Sequence, residues 1–465
     1  MRLHDIPMLG HHPVGIEAQE VGDHDGRQQL VKDHEVAARE QLDRSPLAST
    51  GPLPRNLVEV VAQAFAALAD ARRVLDVSLR HIAIDEREIV AMHAVAHEVQ
   101  YDLFVGCQVG ALAWIPRVVE HGRRVSQSYG VATDLEGGDV RAAVATGINE
   151  TEPLSMLELR DDWPDPIAPE GHTLVRLGAT SINMHDLWSM RGVGVRADQF
   201  PMIVGCDIAG WDDHGNEVVV SGSYGNPDAG HGDESFDPDR ALVSERFPGS
   251  FAEFSIVPIR NVIPKPAFLS MEEAGCITVA WTTAFRMLFT RGQAEAGETV
   301  LIQGAGGGVA TAAAALARAA GLRVVVTSRS ADKRERALAL GAHEAVETGA
   351  RLSAPVDLVI ETVGEATWKH SLRSVRPGGR IVVSGATTGA DPSADLARIF
   401  YRQISIIGVS GASRVETEQL LRFMEAADLH PLIDSVYSFD EIHAAFERAQ
   451  QPDLYGKVVV RMDKS

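Results

Sequence analysis

The chain has 465 residues, 45% of them hydrophobic, enough to bury two or three cores. Its formal charge of −21 and pI near 5.2 exclude the clustered-cation footprint of a general nucleic-acid binder or of a partner for anionic membranes. Three scattered cysteines, Cys107, Cys206 and Cys276, cannot build a disulfide frame or a four-cysteine zinc lobe, which fits a reducing cytoplasm.

The first twenty residues include Asp5, Glu17 and Glu20 and lack an apolar signal-peptide core, and no apolar run is long enough to span a bilayer. A soluble, untargeted protein is expected. Residues 1–139 do not read like the rest: nine of the 17 histidines fall there, and no motif recurs. Asn56 to Arg80 is helix-like, with Val58, Val61, Phe65, Leu68 and Leu75 along one face. His93 and His97 have the spacing of two metal ligands on a helix, but with no third ligand at a sensible spacing they read as exposed histidines. Just before Val140, Glu136-Gly137-Gly138 can be encoded as a bacterial ribosome-binding sequence, and Val140 as the start codon GTG. Residues 1–139 then read either as an over-extended gene start or as a genuine N-terminal extension; the intact mass of the natively expressed protein separates the two.

From Arg141 the character changes. RAAVATGI reads as a strand, and a strand-rich module with frequent Gly and Pro runs to about Pro266. LSMEEAGCITVAWTTAFRMLF follows as a helical segment, with Ser270 as N-cap and Glu272 and Glu273 in its first turn. Then comes TVLIQGAGGGVA: a short strand from Thr299 to Ile302, a turn with Gly304, Gly306, Gly307 and Gly308, and an alanine-rich helix leading to a second strand, Leu322 to Thr327. Glycines suit such a turn because a pyrophosphate must approach backbone N–H groups at a helix N-terminus. Val309 stands where the usual fingerprint has its third glycine.

The end of the second strand indicates which dinucleotide is bound. An NAD site expects an acid there for the ribose 2′-OH, whereas Ser328, Arg329 and Lys333 suit a 2′-phosphate, and the reading is NADP(H). The bland alternative, a solvated helix start, leaves the ribose without an acidic partner. Further strands at 357–361, 380–384 and 404–409 alternate with helices, as a doubly wound parallel sheet requires, and Gly385 ends the second of them beside the cofactor site. The tail reads as a helix from Glu416, a strand near Ser435, a helix from Asp440 and a closing strand from Lys457.

These residues resemble the medium-chain dehydrogenase/reductase superfamily, specifically its zinc-less quinone oxidoreductase, zeta-crystallin-like branch. The matching pieces are ATSINMHDLW, PMIVGCDIAG, GSFAEFSIVPIRNVIPKP, TTAFRML, ETVLIQGAGGGVA, LGAH, VDLVIETVG, RPGGRIVVSG and YGKVVV, in order across about 141–462. The resemblance implies an α/β chain: a GroES-like β-rich catalytic domain (140–265), an NADP-binding Rossmann domain (266–428) and a C-terminal return to the catalytic domain (429–465), with the site in the cleft.

Metal-dependent relatives place zinc ligands where this chain has Asn183, Cys206 and Val279. Only Cys206 could ligate, so no metal is expected. The loop between Gly225 and Gly249 replaces the structural zinc lobe and reads as solvated. The resemblance assigns Asn183 as donor to an acceptor oxygen, Tyr224 and Thr283 to the cleft, Asp186 and Asp207 to shaping the site, and Lys457 to the cofactor. It implies NADPH-dependent reduction of a quinone or α,β-unsaturated carbonyl compound by a homodimer or homotetramer. Zinc-type alcohol dehydrogenase activity, enoyl reduction and a non-catalytic NADPH-binding role are the alternatives.

Overall fold

The computed structural model describes residues 140–462; the helix expected over 56–80, the pair His93 and His97, and the stretch before residue 140 lie outside that range.

Six parallel strands form one sheet in the spatial order Glu344–Val346, Arg323–Thr327, Thr299–Ile302, Val356–Glu361, Val375–Val383, Ser405–Gly408. Taken along the chain, that is third, second, first, fourth, fifth, sixth: the Rossmann order, whose switch point opens a crevice at the end of the first strand. Val300 to Ile302, Val324 to Val326 and Leu358 to Ile360 are buried throughout, as unbroken aliphatic runs covered on both faces should be. Each such side chain contributes roughly 1.5–3 kcal/mol. The helix Gly308–Ala319 turns Ala310, Ala312, Ala313, Leu316 and Ala317 inward, and its small residues let it lie close to the sheet.

A buried polar chain fixes the glycine turn. Thr327 Oγ1 accepts from the Gly304 amide (3.1 Å) and donates to Gln303 Oε1 (2.8 Å). Gln303 Nε2 donates to Ser371 Oγ (2.9 Å), which donates to Glu361 Oε2 (2.6 Å). A satisfied network of this kind holds one backbone geometry.

The β-rich part is organised on the long strand His172–Ser181. Phe254–Pro258 pairs with its first half, Ala209–Trp211 with its middle and Lys457–Arg461 with its end. Lys457–Arg461 runs parallel to Ile433–Ser438, so the C-terminal segment completes this sheet. A smaller sheet places Val140–Ala145 between Leu157–Trp163 and Met202–Ile203.

Two expectations are corrected. The segment after Pro266 is not one helix: a box in which Glu273 N donates to Ser270 Oγ and Ser270 N to Glu273 Oε2 starts Met271–Ala274, which ends at Gly275. There the backbone passes so close to the long strand that a Cβ would lie 2.9 Å from the Ala179 carbonyl carbon. Wide π-type turns, Ile277–Trp281 and Arg286–Thr290, then flank Thr282–Phe285. The acidic loop is solvated only in part, with Asp228, His231 and Asp239 exposed. Glu234 and Asp237 are buried, Arg286 bonds Asp233 Oδ2 (2.8 Å) and Glu416, and the Arg414 amide donates to Glu234 Oε1 (2.6 Å).

Candidate active site

The strand His172–Ser181 delivers Asn183 to the start of the helix Met184–Met190, where the Asn183 amide N–H donates to Asp186 Oδ2 (2.8 Å). The Asn183 side chain is fully engaged. Its Oδ1 accepts from Lys457 Nζ (2.6 Å), and its Nδ2 donates to Asp207 Oδ2 (2.8 Å) and Ser181 O (3.1 Å). Both N–H groups are thus used, and the amine on one side and the carboxylate on the other fix the amide orientation. The free donor expected at Asn183 is not there, because Asp207 and Ser181 have taken it.

Asp207 is the centre of this cluster and has no exposed surface. Its Oδ2 also accepts from Ser181 Oγ (2.6 Å) and lies 3.5 Å from Lys457 Nζ, while its Oδ1 accepts from Thr278 Oγ1 and the Val279 amide, both at 2.9 Å. One carboxylate therefore ties the β-rich sheet to the π-type turn that enters the Rossmann domain. Lys457 makes the second tie: its stem crosses the glycine turn, where a Cβ on Gly308 would lie 2.6 Å from Lys457 Cδ.

The other expected residues divide. Gly304 has φ of 85°, a left-handed backbone that glycine adopts without strain. Gly306 is crowded by Leu454 O and Lys333 Nζ, whereas a Cβ on Gly307 would meet nothing within 4 Å. The turn is closed from below and open above, a cradle suited to a pyrophosphate at the helix N-terminus. Val309 follows in the first turn of that helix. Ser328 is buried, with Oγ accepting from the Ser330 amide (3.2 Å), and Arg329 is exposed. Lys333, expected at the 2′-phosphate, instead reaches back to the glycine turn, and burial, the largest influence on it, lowers its pKa. Gly385 packs against the Thr362 carbonyl. Thr283 is buried in Thr282–Phe285.

A second cluster lies on the far side of Asp186. Cys206 Sγ is 3.1 Å from His185 Nδ1 and 3.4 Å from Asp186 Oδ1, and His185 Nε2 is 3.2 Å from Glu245 Oε1. Burial pushes the Asp186 carboxyl up to about 6, and burial with the neighbouring Asp186 raises the Cys206 thiol well above its ordinary value. Tyr224 lies nearby, edge-on to Phe247 with centroids 5.2 Å apart, and its buried hydroxyl has no hydrogen-bond partner. Burial raises its pKa. His185 was missed in the sequence. Its adjacency to Asp186 is visible there, but its approach to Cys206 requires the folded chain.

The sheet order, the open glycine turn and the adjoining β-rich cleft together define a dinucleotide-dependent enzyme of two-part construction. The profile of the family described as zinc-binding dehydrogenase matches residues 308–426. A zinc-type alcohol dehydrogenase-like protein of Schizosaccharomyces pombe is 31% identical over 327 residues, covering 64% of this chain and 93% of the relative. A quinone oxidoreductase of Pongo abelii is 28% identical over 316 residues, covering 63% and 89%. The crystal structure of an NAD-dependent alcohol dehydrogenase matches with a TM-score of 0.64 and 30% identity, over 70% of this chain and all (100%) of that one. The chain belongs to the medium-chain dehydrogenase/reductase superfamily and is an oxidoreductase of that family. Among the described residues, no helix is long and apolar enough to cross a membrane.

Proposed function

We propose that the chain is an NADPH-dependent oxidoreductase that delivers hydride to a quinone or an α,β-unsaturated carbonyl compound without a catalytic metal. One observation carries this reading. Of the three positions where metal-dependent relatives hold zinc, Asn183 is saturated by Lys457, Asp207 and Ser181, and Val279 has no donor. Cys206 alone cannot hold a catalytic zinc, which takes about three protein ligands. Without a Lewis acid, an acceptor that is already electron-poor is the reasonable substrate, because a conjugated system spreads the charge that arrives with the hydride.

When bound, NADPH supplies that hydride, and the chain supplies orientation and a dry cleft. Gly304, Gly306, Gly307, Gly308 and Val309 would hold the pyrophosphate, Ser328 and Arg329 the 2′-phosphate, and Lys333, Gly385 and Lys457 the edges of the cofactor. Tyr224 and Thr283 would line the acceptor side. Asp186 and Asp207 act as positioning residues through Asn183. Residues 140–265 and 429–465 would form the catalytic domain and 266–428 the cofactor domain, in a cytoplasmic homodimer or homotetramer.

The quinone oxidoreductase among the relatives supports the substrate class. The zinc-type alcohol dehydrogenase-like relative favours a second reading, metal-dependent alcohol or aldehyde chemistry. Steady-state oxidation of NADPH and NADH by chelator-treated protein, with 1,4-naphthoquinone, a simple enone and a simple aldehyde, separates them. Turnover of the quinone or enone with NADPH is expected. Strong NADH preference, aldehyde turnover that requires added zinc, or NADPH binding without oxidation would overturn the proposal.

A further inference from the structure

We infer that Arg286 is a positioning residue for the acceptor side of the cleft: it fastens the acidic loop 225–240 to the Rossmann domain, and through that loop it sets Tyr224 and His185. The guanidinium is buried and reaches two elements at once. Its Nη2 donates to Asp233 Oδ2 (2.8 Å) in the middle of the loop, and its Nη1 donates to Glu416 Oε2 in the first turn of the helix Arg414–Ala427. A planar fork of N–H donors suits a bridge between two carboxylates.

The loop has little apolar surface to hold it in place. Its one large apolar side chain, Phe236, is 53% exposed, with the Arg286 and Arg291 guanidinium groups 5.2 and 5.6 Å from its ring centroid. The ties to the Rossmann domain are therefore polar. Besides Arg286 they include the Arg414 amide, which donates to Glu234 Oε1 (2.6 Å), and Arg240 Nη2, which donates to Ser410 Oγ (2.9 Å). Of these, Arg286 alone sets a buried charge against two carboxylates. Without it, Asp233 and Glu416 face one another as like charges, and attraction across the boundary becomes repulsion.

The loop is braced as one piece. Asn226 N donates to Asp237 Oδ2 (2.6 Å), Ser235 N donates to Asp233 Oδ1 (2.9 Å), and a Cβ on Gly225 would lie 2.6 Å from the Glu234 carbonyl oxygen. Its two ends carry residues of the candidate site. Ser223–Tyr224 pairs with Ala241–Leu242, and Leu242 N donates to Glu245 Oε2 (2.8 Å), while Glu245 Oε1 lies 3.2 Å from His185 Nε2. A displacement at Asp233 thus reaches Tyr224 through Gly225, and His185 through Glu245. The inference rests on the proposed placement of the acceptor beside Tyr224, and its test includes a readout that needs no acceptor.

The test is hydrogen exchange and steady-state kinetics on full-length wild type, Arg286→Met and Asp233→Asn. Asp233→Asn keeps an oxygen for the Ser235 amide and leaves Arg286 on Glu416, so it decides the matter should Arg286→Met fail to fold. In both variants amide exchange should accelerate about tenfold or more through the loop and on into the peptides that hold Tyr224 and Leu242 to Glu245. The acceptor KM should rise about fivefold or more while the NADPH Kd stays within about twofold, because the side-chain bonds of Arg286 go to the two acids and not to the glycine turn. A merely structural loss lowers kcat through a smaller active fraction and leaves KM where it was. In the double variant, Asp233→Asn should add little to Arg286→Met, since both remove one interaction. Wild type that oxidises NADPH with neither quinone nor enone defeats the substrate class and leaves the exchange result to decide the role of Arg286. Unchanged exchange in the variants, acceleration that stops short of Tyr224 and Glu245, an unmoved acceptor KM, or an NADPH Kd that rises with it overturns the inference.

Discussion

Lys457 Nζ donates to Asn183 Oδ1 at 2.6 Å, joining residues 274 positions apart in the sequence and holding the closing strand against the start of the helix Met184–Met190. The amine also donates to Ile182 O (2.9 Å) and lies 3.5 Å from Asp207 Oδ2, so it faces three oxygens in a pocket almost closed to solvent. Lys457→Met removes the cation and leaves a buried carboxylate and amide oxygen short of a partner. A loss of about 3 kcal/mol is expected, together with at least tenfold lower quinone turnover. Urea unfolding measures the first, and a loss below about 1 kcal/mol would show that the amine is not the counter-charge of Asp207.

The glycine turn makes a paired prediction. Gly306→Ala places a methyl 2.7 Å from the Leu454 carbonyl oxygen, in a turn whose Gly306 carbonyl already accepts from the Gly456 amide (2.9 Å). Backbone must shift, at about 1–3 kcal/mol of stability. Gly307→Ala points its methyl into open space at φ of −75°, a backbone alanine accepts. It should fold within about 0.5 kcal/mol of wild type yet bind NADPH about tenfold more weakly, a difference of about 1.4 kcal/mol. Fluorescence titration decides; undiminished binding by Gly307→Ala would mean that the open side of the turn is not where the cofactor lies.

What could be read from the sequence and what could not differ in kind. The strands from Val300, Val324 and Leu358 were legible because a doubly covered strand needs an unbroken aliphatic run, and the turn at Gly304 because its backbone needs glycine. The cap at Ser270 carries its own local chemistry. By contrast, Asn183 loses its free donor only when Asp207 folds against it, and His185 meets Cys206 only after the strand and helix have packed. The acidic loop looked solvated because nothing local reveals that Arg286, 53 residues beyond Asp233, reaches it. Local pattern specifies elements, whereas this site is assembled from pairings between elements.

Arg329 and Lys333 should separate cofactor selection from cofactor binding. Arg329 is exposed at the end of the second strand, whereas Lys333 Nζ lies over Gly306. Arg329→Ala removes the charge that the proposed function assigns to a 2′-phosphate and should weaken NADPH by about 1.5–3 kcal/mol, roughly ten- to hundredfold, with NADH unchanged. Lys333→Ala should weaken both cofactors by similar factors, because its amine lies over Gly306, in the turn proposed to hold the pyrophosphate they share. Parallel titrations with NADPH and NADH check this, and an equal loss of both in Arg329→Ala would remove it from 2′-phosphate recognition.

Asp434 gives a pH-dependent stability that can be isolated. Arg448 Nε and Nη2 donate to its two oxygens, each at 2.8 Å, and the Tyr455 amide donates at 3.0 Å, anchoring the segment that runs beneath the glycine turn. Burial alone would raise the Asp434 carboxyl, but these donors outweigh it and hold the pKa below the ordinary value. A carboxyl depressed on folding adds stability above its unfolded pKa, about 3.9, and loses it as pH falls through the lower folded value. Wild type should therefore exceed Asp434→Asn in stability by a constant margin from neutrality down to about pH 5, with the margin shrinking below about pH 4. Urea midpoints of both proteins between neutral and acidic pH measure it. A margin that stays constant into acid would show that the ionised carboxylate is not what holds Arg448 and the Tyr455 amide.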